Sequence, residues 1–188
     1  QLWTSTVSSE ILAPPTADSG VVVTQTVDGQ VFGLSAASGE RLWSFERSEP
    51  ALSLRGTSAP VTIAGVALTG FASGKLVAIG LKDGRLLWEI PIAQPRGRSE
   101  IERLVDVDSA PLVVGKVLFA AAFQGKIVAV HLENGRILWS RDLSTYNELD
   151  ADASHLYLTD EKGEVLALDL NTGATVWKQD KLRARFQS

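Results

Sequence analysis

The chain repeats one pattern of two glycines and a tryptophan four times, at spacings that few folds accommodate. In each copy the second glycine follows the first by ten residues, and the tryptophan follows the second glycine by four. The first glycines are Gly29, Gly74, Gly125 and Gly163, the second are Gly39, Gly84, Gly135 and Gly173, and the tryptophans are Trp43, Trp88, Trp139 and Trp177. Successive tryptophans are 45, 51 and 38 residues apart. This is the length of a β-propeller blade of four short strands, roughly 40–50 residues.

The residues around this pattern predict strands rather than helices. Apolar runs alternate with glycine-containing turns, and the last run of each copy carries the tryptophan. The run after the first glycine is apolar on both faces, as expected of a sheet packed between two others. Its third residue is very small in every copy: Gly33, Ala78, Ala129 and Ala167. We expect a tryptophan from the neighbouring sheet to fill the space beside it. The predicted fold class is all-β, a propeller segment of about four four-stranded blades.

The whole chain, residues 1–188, is predicted to be a single propeller fragment. Ala-Pro pairs at 13–14, 59–60 and 110–111 open an additional strand in the first three copies. The repeat units are therefore placed at about 12–45, 58–90, 109–141 and 148–179. Residues 1–4, which contain Trp3, are expected to end a preceding blade, and residues 180–188 to begin the next linker.

Composition argues against several classes of function. The chain has 18 basic and 22 acidic residues and a net charge of −4. Nucleic-acid binding is not expected, because it needs a basic face, and no polybasic segment suits a membrane surface. The chain has no Cys, which removes disulfides, thiolate nucleophiles and Cys-based zinc sites. No apolar run approaches the length that spans a membrane, about 18 residues.

The sequence contains no familiar catalytic or cofactor-binding motif, so we predict no enzyme activity, no metal and no cofactor. The two histidines, His131 and His155, lie at the ends of apolar strands and are expected to be structural or surface groups. A tryptophan platform that stacks on a ligand is the alternative to packing between blades. The fixed offset from the turn glycines favours packing. Asp150 and Asp152 are expected to be solvated loop residues.

Two linkers between the copies carry the candidate binding residues. Residues 48–56 (SEPALSLRG) place Leu52 and Leu54 directly before Arg55, in a connection that has no sheet of its own. This composition is typical of a small interaction hot spot, and equally of a loop folded back onto the rim. In the second linker, Asp106 and Asp108 point the same way if the chain is extended. Such a pair suits acid–base catalysis, Ca²⁺ binding or a polar rim that meets a basic partner, and neither an EF-hand loop nor a glycosidase context accompanies it.

Residues 168–177 (LDLNTGATVW) resemble the repeats of quinoprotein-like propellers. Within that superfamily, residues 51–56 (ALSLRG) and 100–108 (EIERLVDVD) resemble the linkers of the BamB family. These are propeller lipoproteins of the outer-membrane β-barrel assembly (BAM) machinery of Gram-negative bacteria. The resemblance implies an eight-bladed parent, of which this chain is a fragment. It also implies a location at the periplasmic face of the outer membrane, through a lipid anchor that this chain lacks.

The resemblance further implies partners and site residues. The family binds the periplasmic POTRA modules of BamA, the barrel-forming subunit, at positions that match Leu52, Leu54, Arg55, Asp106 and Asp108. The expected function is a non-enzymatic scaffold that supports folding and insertion of β-barrel outer-membrane proteins, with unfolded outer-membrane proteins as a further expected partner. The alternative is a quinoprotein dehydrogenase-like domain or a sensor propeller that binds a small ligand.

Overall fold

The structure, a computed structural model, describes residues 2–47, 58–93, 107, 109–145 and 147–180. These residues form four antiparallel sheets of four strands each and contain no helix. The first sheet comprises β1 (Thr16–Asp18), β2 (Val21–Gln25), β3 (Gln30–Ser35) and β4 (Arg41–Glu46), and the second β5 (Val61–Ile63), β6 (Val66–Gly70), β7 (Lys75–Gly80) and β8 (Leu86–Pro91). The third comprises β9 (Leu112–Val114), β10 (Val117–Ala121), β11 (Lys126–His131) and β12 (Ile137–Asp142), and the fourth β13 (Asp150–Ala151), β14 (His155–Thr159), β15 (Val165–Asp169) and β16 (Thr175–Gln179).

Each sheet is a simple meander, in which every strand pairs with the strand that precedes it in the chain. The first strands of the first two sheets, β1 and β5, approach each other, and the hydroxyls of Thr16 and Thr62 lie 3.1 Å apart. The fourth strands, β4, β8, β12 and β16, are the opposite edges of the sheets. This arrangement confirms the predicted all-β fold of four four-stranded blades.

The hydrophobic core lies between the sheets rather than within one of them. In β7, Val77 and Ile79 pack against the first sheet, whereas Leu76 and Ala78 pack against the third. All four side chains are fully buried. A strand that faces a sheet on both sides needs apolar residues at successive positions, which explains the unbroken apolar runs of the sequence. A third cluster joins the third and fourth sheets in the same way.

In each of the first three blades, a tryptophan in the fourth strand joins that blade to the next. The indole Nε1 of Trp43 donates a hydrogen bond to the carbonyl oxygen of Leu81 in the second sheet, at 2.8 Å. Trp88 bonds the carbonyl of Leu132 at 2.9 Å, and Trp139 bonds that of Leu170 at 2.9 Å. Each indole therefore has its polar atom satisfied while its ring is packed between two sheets.

The second glycine of each repeat packs against a tryptophan that precedes that repeat in the chain. A Cβ atom on Gly84 would lie 2.9 Å from the ring of Trp43, and Gly135 and Gly173 meet Trp88 and Trp139 in the same manner. These glycines have φ between 69° and 73°, a conformation that favours glycine, as does Gly39. Trp3 lies outside any strand, yet its indole packs on Gly39 and donates to the carbonyl of Ala36 at 3.0 Å.

A tryptophan does lie beside Gly33, but the prediction that it comes from the neighbouring sheet was wrong. That space holds the ring of Trp43, which belongs to the same sheet and is the cross-strand partner of Gly33. The pairing results from a β-bulge, since β3 and β4 shift register between Gly33 and Leu34 and leave Leu42 as an extra residue. The other three sheets have the same irregularity directly before their tryptophan.

Candidate partner-binding rim

Both linkers that carry the predicted site begin and end at one edge of the blades. In a four-stranded meander, the fourth strand ends at the same end of the sheet at which the first strand begins, although the two strands lie on opposite sides of the sheet. The first linker follows β4 and precedes β5, and the second follows β8 and precedes β9. We call this end of the blades, where β4, β8 and β12 end and β5 and β9 begin, the linker rim. The predicted residues themselves, Leu52, Leu54, Arg55, Asp106 and Asp108, lie outside the described residues.

The start of the first linker is held by an ion-pair network between two blades. Arg47, one residue after β4, donates from Nε to Oε2 of Glu89 in β8 at 2.8 Å. Lys75 of β7 approaches the other oxygen of Glu89 at 2.7 Å. The hydrogen bond from Lys75, together with Arg47, holds the pKa of Glu89 below its ordinary value against the opposing effect of partial burial. The Arg47 guanidinium also lies 4.7 Å from the centre of the Phe45 ring.

The ends of the two linkers are joined by a buried hydrogen bond. Ser58, the first described residue after the first linker, donates from Oγ to the carbonyl oxygen of Ser109 at 3.2 Å. Ser109 is the corresponding residue after the second linker, and both serines are buried. The Ser109 hydroxyl in turn donates to the carbonyl of Ala121, at 3.4 Å. The two linkers therefore enter their blades side by side.

Sequence reasoning missed these serines, although a signal was present. Both precede an Ala-Pro pair, so Ser-Ala-Pro occurs at 58–60 and again at 109–111. The first copy has Leu12 at that place. A polar residue that appears only after the two candidate linkers indicates a contact made only there.

Val107 anchors the second linker between its two predicted carboxylates. The side chain is fully buried and packs against Gly70 at the end of β6, where any Cβ atom would overlap it. Gly70 is itself tied to the first sheet, because Gln25 donates from Nε2 to its carbonyl oxygen at 3.0 Å. The Thr69 hydroxyl completes this buried contact by hydrogen bonding to the Gln25 side chain. The position of Val107 thus depends on the contact between the first and second sheets.

The other residues considered from the sequence have local contacts. Asp152 accepts hydrogen bonds from the backbone of Ser154 and His155 and from the Tyr157 hydroxyl. These bonds, the one from Ser154 first, lower the pKa of Asp152. His131 ends β11, and its Nδ1 is buried without a hydrogen-bond partner among the described residues.

Two features are absent from the described part of the chain. Within it, no group of three His, Asp or Glu side chains is arranged to hold a metal ion. No helix within it is long and apolar enough to cross a membrane.

Comparison with known proteins gives a consistent family. A family model described as "Outer membrane protein assembly factor BamB" matches residues 1–179. The protein of that name from Kangiella koreensis is 51% identical over 143 residues, which cover 76% of this chain and 37% of the relative. The one from Yersinia pestis is 37% identical over 183 residues, or 97% of this chain and 47% of the relative. The chain thus spans about half, or less, of the length of the curated relatives it matches.

Solved structures agree with the sequence comparison. The crystal structure of BamB from Moraxella catarrhalis superimposes with a TM-score of 0.89 at 29% identity, covering 95% of this chain and 54% of that one. A quinohemoprotein alcohol dehydrogenase from Pseudomonas putida HK5 superimposes with a TM-score of 0.75 at 16% identity, covering 95% of this chain and 35% of that one. The second likeness shows the propeller fold alone.

Proposed function

Because the chain belongs to the BamB family of outer membrane protein assembly factors, we propose that it is a non-enzymatic scaffold of that machinery. In this proposal it works at the periplasmic face of the outer membrane and supports the folding and insertion of β-barrel proteins. Its direct partner is the array of POTRA modules of BamA. The assignment as a scaffold is supported by the names of the relatives from Kangiella koreensis, Yersinia pestis and Burkholderia pseudomallei, each an outer membrane protein assembly factor.

The observation that carries the proposal is the joining of the two linkers at one rim. Leu52, Leu54 and Arg55 lie in the first linker, and Asp106 and Asp108 in the second. The bond between Ser58 and Ser109 holds the ends of the linkers together, so one partner surface reaches both. Two leucines supply apolar area, while the arginine and the carboxylates supply charges of opposite sign. This mixture of an apolar centre with a charged surround is typical of protein interfaces.

The expected energies separate the two kinds of residue. A leucine or arginine buried at the centre of such a contact contributes about 2 kcal/mol or more when it is truncated. A carboxylate at the exposed edge contributes less, about 1 kcal/mol, and its contribution falls as salt is added. We therefore propose that Leu54 and Arg55 determine affinity and that Asp106 and Asp108 act mainly on the rate of association.

The proposal is tested by calorimetric titration of the chain with a purified POTRA array. Leu54→Ala and Arg55→Glu are expected to weaken binding at least about 30-fold, which corresponds to about 2 kcal/mol. Leu138→Ala and Arg136→Glu are the matched controls. Both residues are exposed and lie near the start of β12, at the end of the third sheet away from the linker rim. Binding that survives both linker variants would contradict the site assignment. A folded chain that shows no binding at all would contradict the choice of partner.

A further inference from the structure

We call the packed contact between two successive sheets a joint. The joints differ in the side chains that lie at their ends on the linker rim. Between the first and second sheets, the carboxylate of Glu89 fills this position and is bound by Lys75 and Arg47. In the fourth sheet, where it faces the third, Glu164 and Lys178 form the corresponding pair with the charges exchanged. In both cases a carboxylate and an ammonium group, one residue after the first glycine and one after the tryptophan, close the end of the joint.

Among the residues that the structure describes, the joint between the second and third sheets has no carboxylate at this position. Lys126 corresponds to Lys75, one residue after the first glycine. Ser140 stands where Glu89 would be, and Ile92 stands where Arg47 would be. The ammonium group of Lys126 instead lies 3.8 Å from Asp142, whose side chain is 90% exposed. An ion pair of that length on an exposed carboxylate is screened by water and contributes little.

A cavity of about 180 Å³ occupies the place that a carboxylate fills in the other joints. Its lining includes Ile92, Lys126, Val128, Ile137, Ser140 and Asp142. One wall is fixed by a backbone hydrogen bond between the blades, from the nitrogen of Lys126 to the oxygen of Ile92, at 3.1 Å. The cavity is smaller than the roughly 300–1,000 Å³ that pockets for drug-sized ligands occupy, so it suits a single side chain.

We propose that this cavity receives a glutamate-type side chain from a protein partner docked on the linker rim. Lys126 and Ser140 donate hydrogen bonds to the carboxylate, as Lys75 and Arg47 do to Glu89. The apolar side chains of Ile92 and Ile137 cover the methylene groups. Ala93, which also lines the cavity, is the last described residue before the second linker, so the cavity continues the rim. The identity of the partner rests on the proposed function, whereas recognition of the carboxylate does not.

The test uses a small probe, so that it does not depend on the partner. Methyl-labelled chain is titrated with N-acetyl-glutamate N-methylamide and, as the matched control, with the glutamine analogue. The glutamate probe is expected to shift the methyl signals of Ile92, Val128 and Ile137, with a dissociation constant on the order of 10 mM. Lys126→Ala is expected to remove this response. Lys116→Ala, which changes an exposed lysine in the turn between β9 and β10, is expected to leave it unchanged.

Ser140→Glu provides a second variant, because it rebuilds next to Lys126 the pairing that Glu89 makes with Lys75. The internal carboxylate is expected to fill the cavity, to prevent the probe response and to weaken binding of the POTRA array about tenfold. An equal response to both probes, no response, or a response that survives Lys126→Ala would overturn the proposal. If the unaltered chain does not bind the POTRA array, the proposed function is contradicted. The probe titration still tests whether the cavity binds a carboxylate.

Discussion

Gly135 offers the sharpest test of how the blades are joined. An alanine there takes a left-handed backbone conformation, at φ 70°, and directs its Cβ to 2.9 Å from the indole of Trp88. The backbone strain costs about 1–2 kcal/mol. The indole must also move, although it is only 9% exposed and donates to the carbonyl of Leu132 at 2.9 Å. Loss of that hydrogen bond costs about 1–3 kcal/mol more.

Gly115→Ala is the matched control, since it isolates the backbone strain. Gly115 lies in the same sheet with φ 61°, and a Cβ atom there would meet nothing within 4 Å. Free energies of unfolding from urea titrations, followed by circular dichroism, should fall by about 2–5 kcal/mol for Gly135→Ala and by about 1–2 kcal/mol for Gly115→Ala. Equal losses in the two variants would refute the view that the glycine is needed as the seat of the tryptophan.

The contacts between blades and the linker rim can be perturbed at three further places. Glu89→Gln should flatten the acid dependence of stability. Because the pKa of Glu89 is lowered in the folded protein, its carboxylate stabilises the fold at pH values above 4.5, the ordinary pKa of the group, and this stabilisation is lost as the pH falls through the folded-state pKa. Urea midpoints of both proteins between about pH 6 and pH 3 would show it. Trp88→Phe should cost about 1–3 kcal/mol, whereas Trp177→Phe, at a 44% exposed site, should cost less than about 0.5 kcal/mol in thermal unfolding. Ser58→Ala should cost about 1–2 kcal/mol by removing its buried bond to Ser109, and unchanged stability would contradict that contact.

The sequence predicts the strands well because two turn glycines and a tryptophan mark each blade independently. It does not predict which sheet supplies the neighbour of Gly33. With regular pairing from Leu34 and Arg41, the partner of Gly33 would be Leu42, and Trp43 would point to the other face. The bulge moves Trp43 by one residue and so reverses its face. A shift of this kind depends on the geometry of the whole sheet, which periodicity alone does not contain.

The linker rim is predictable from the sequence only in part. The position of both linkers at one edge follows from the order of strands. The bond from Ser58 to Ser109 joins residues 51 apart and depends on how two blades pack, so no local pattern shows it. The cavity that we propose as a carboxylate site likewise becomes apparent only when the contacts between successive sheets are compared in space. Leu52, Leu54, Arg55, Asp106 and Asp108 remain predictions, since they lie outside the described residues.

The bulge before each tryptophan also limits how the outer strands can grow into larger sheets. The extra residues are aliphatic and between 40% and 51% exposed: Leu42, Leu87, Leu138 and Val176. A strand edge with exposed aliphatic side chains is ordinarily a template for aggregation. Here an incoming strand loses its alignment at the bulge, and only three or four residues beyond it can pair without interruption. That is shorter than a typical strand of about five or six residues, so the blade edges resist fibre-like addition while their apolar side chains stay accessible.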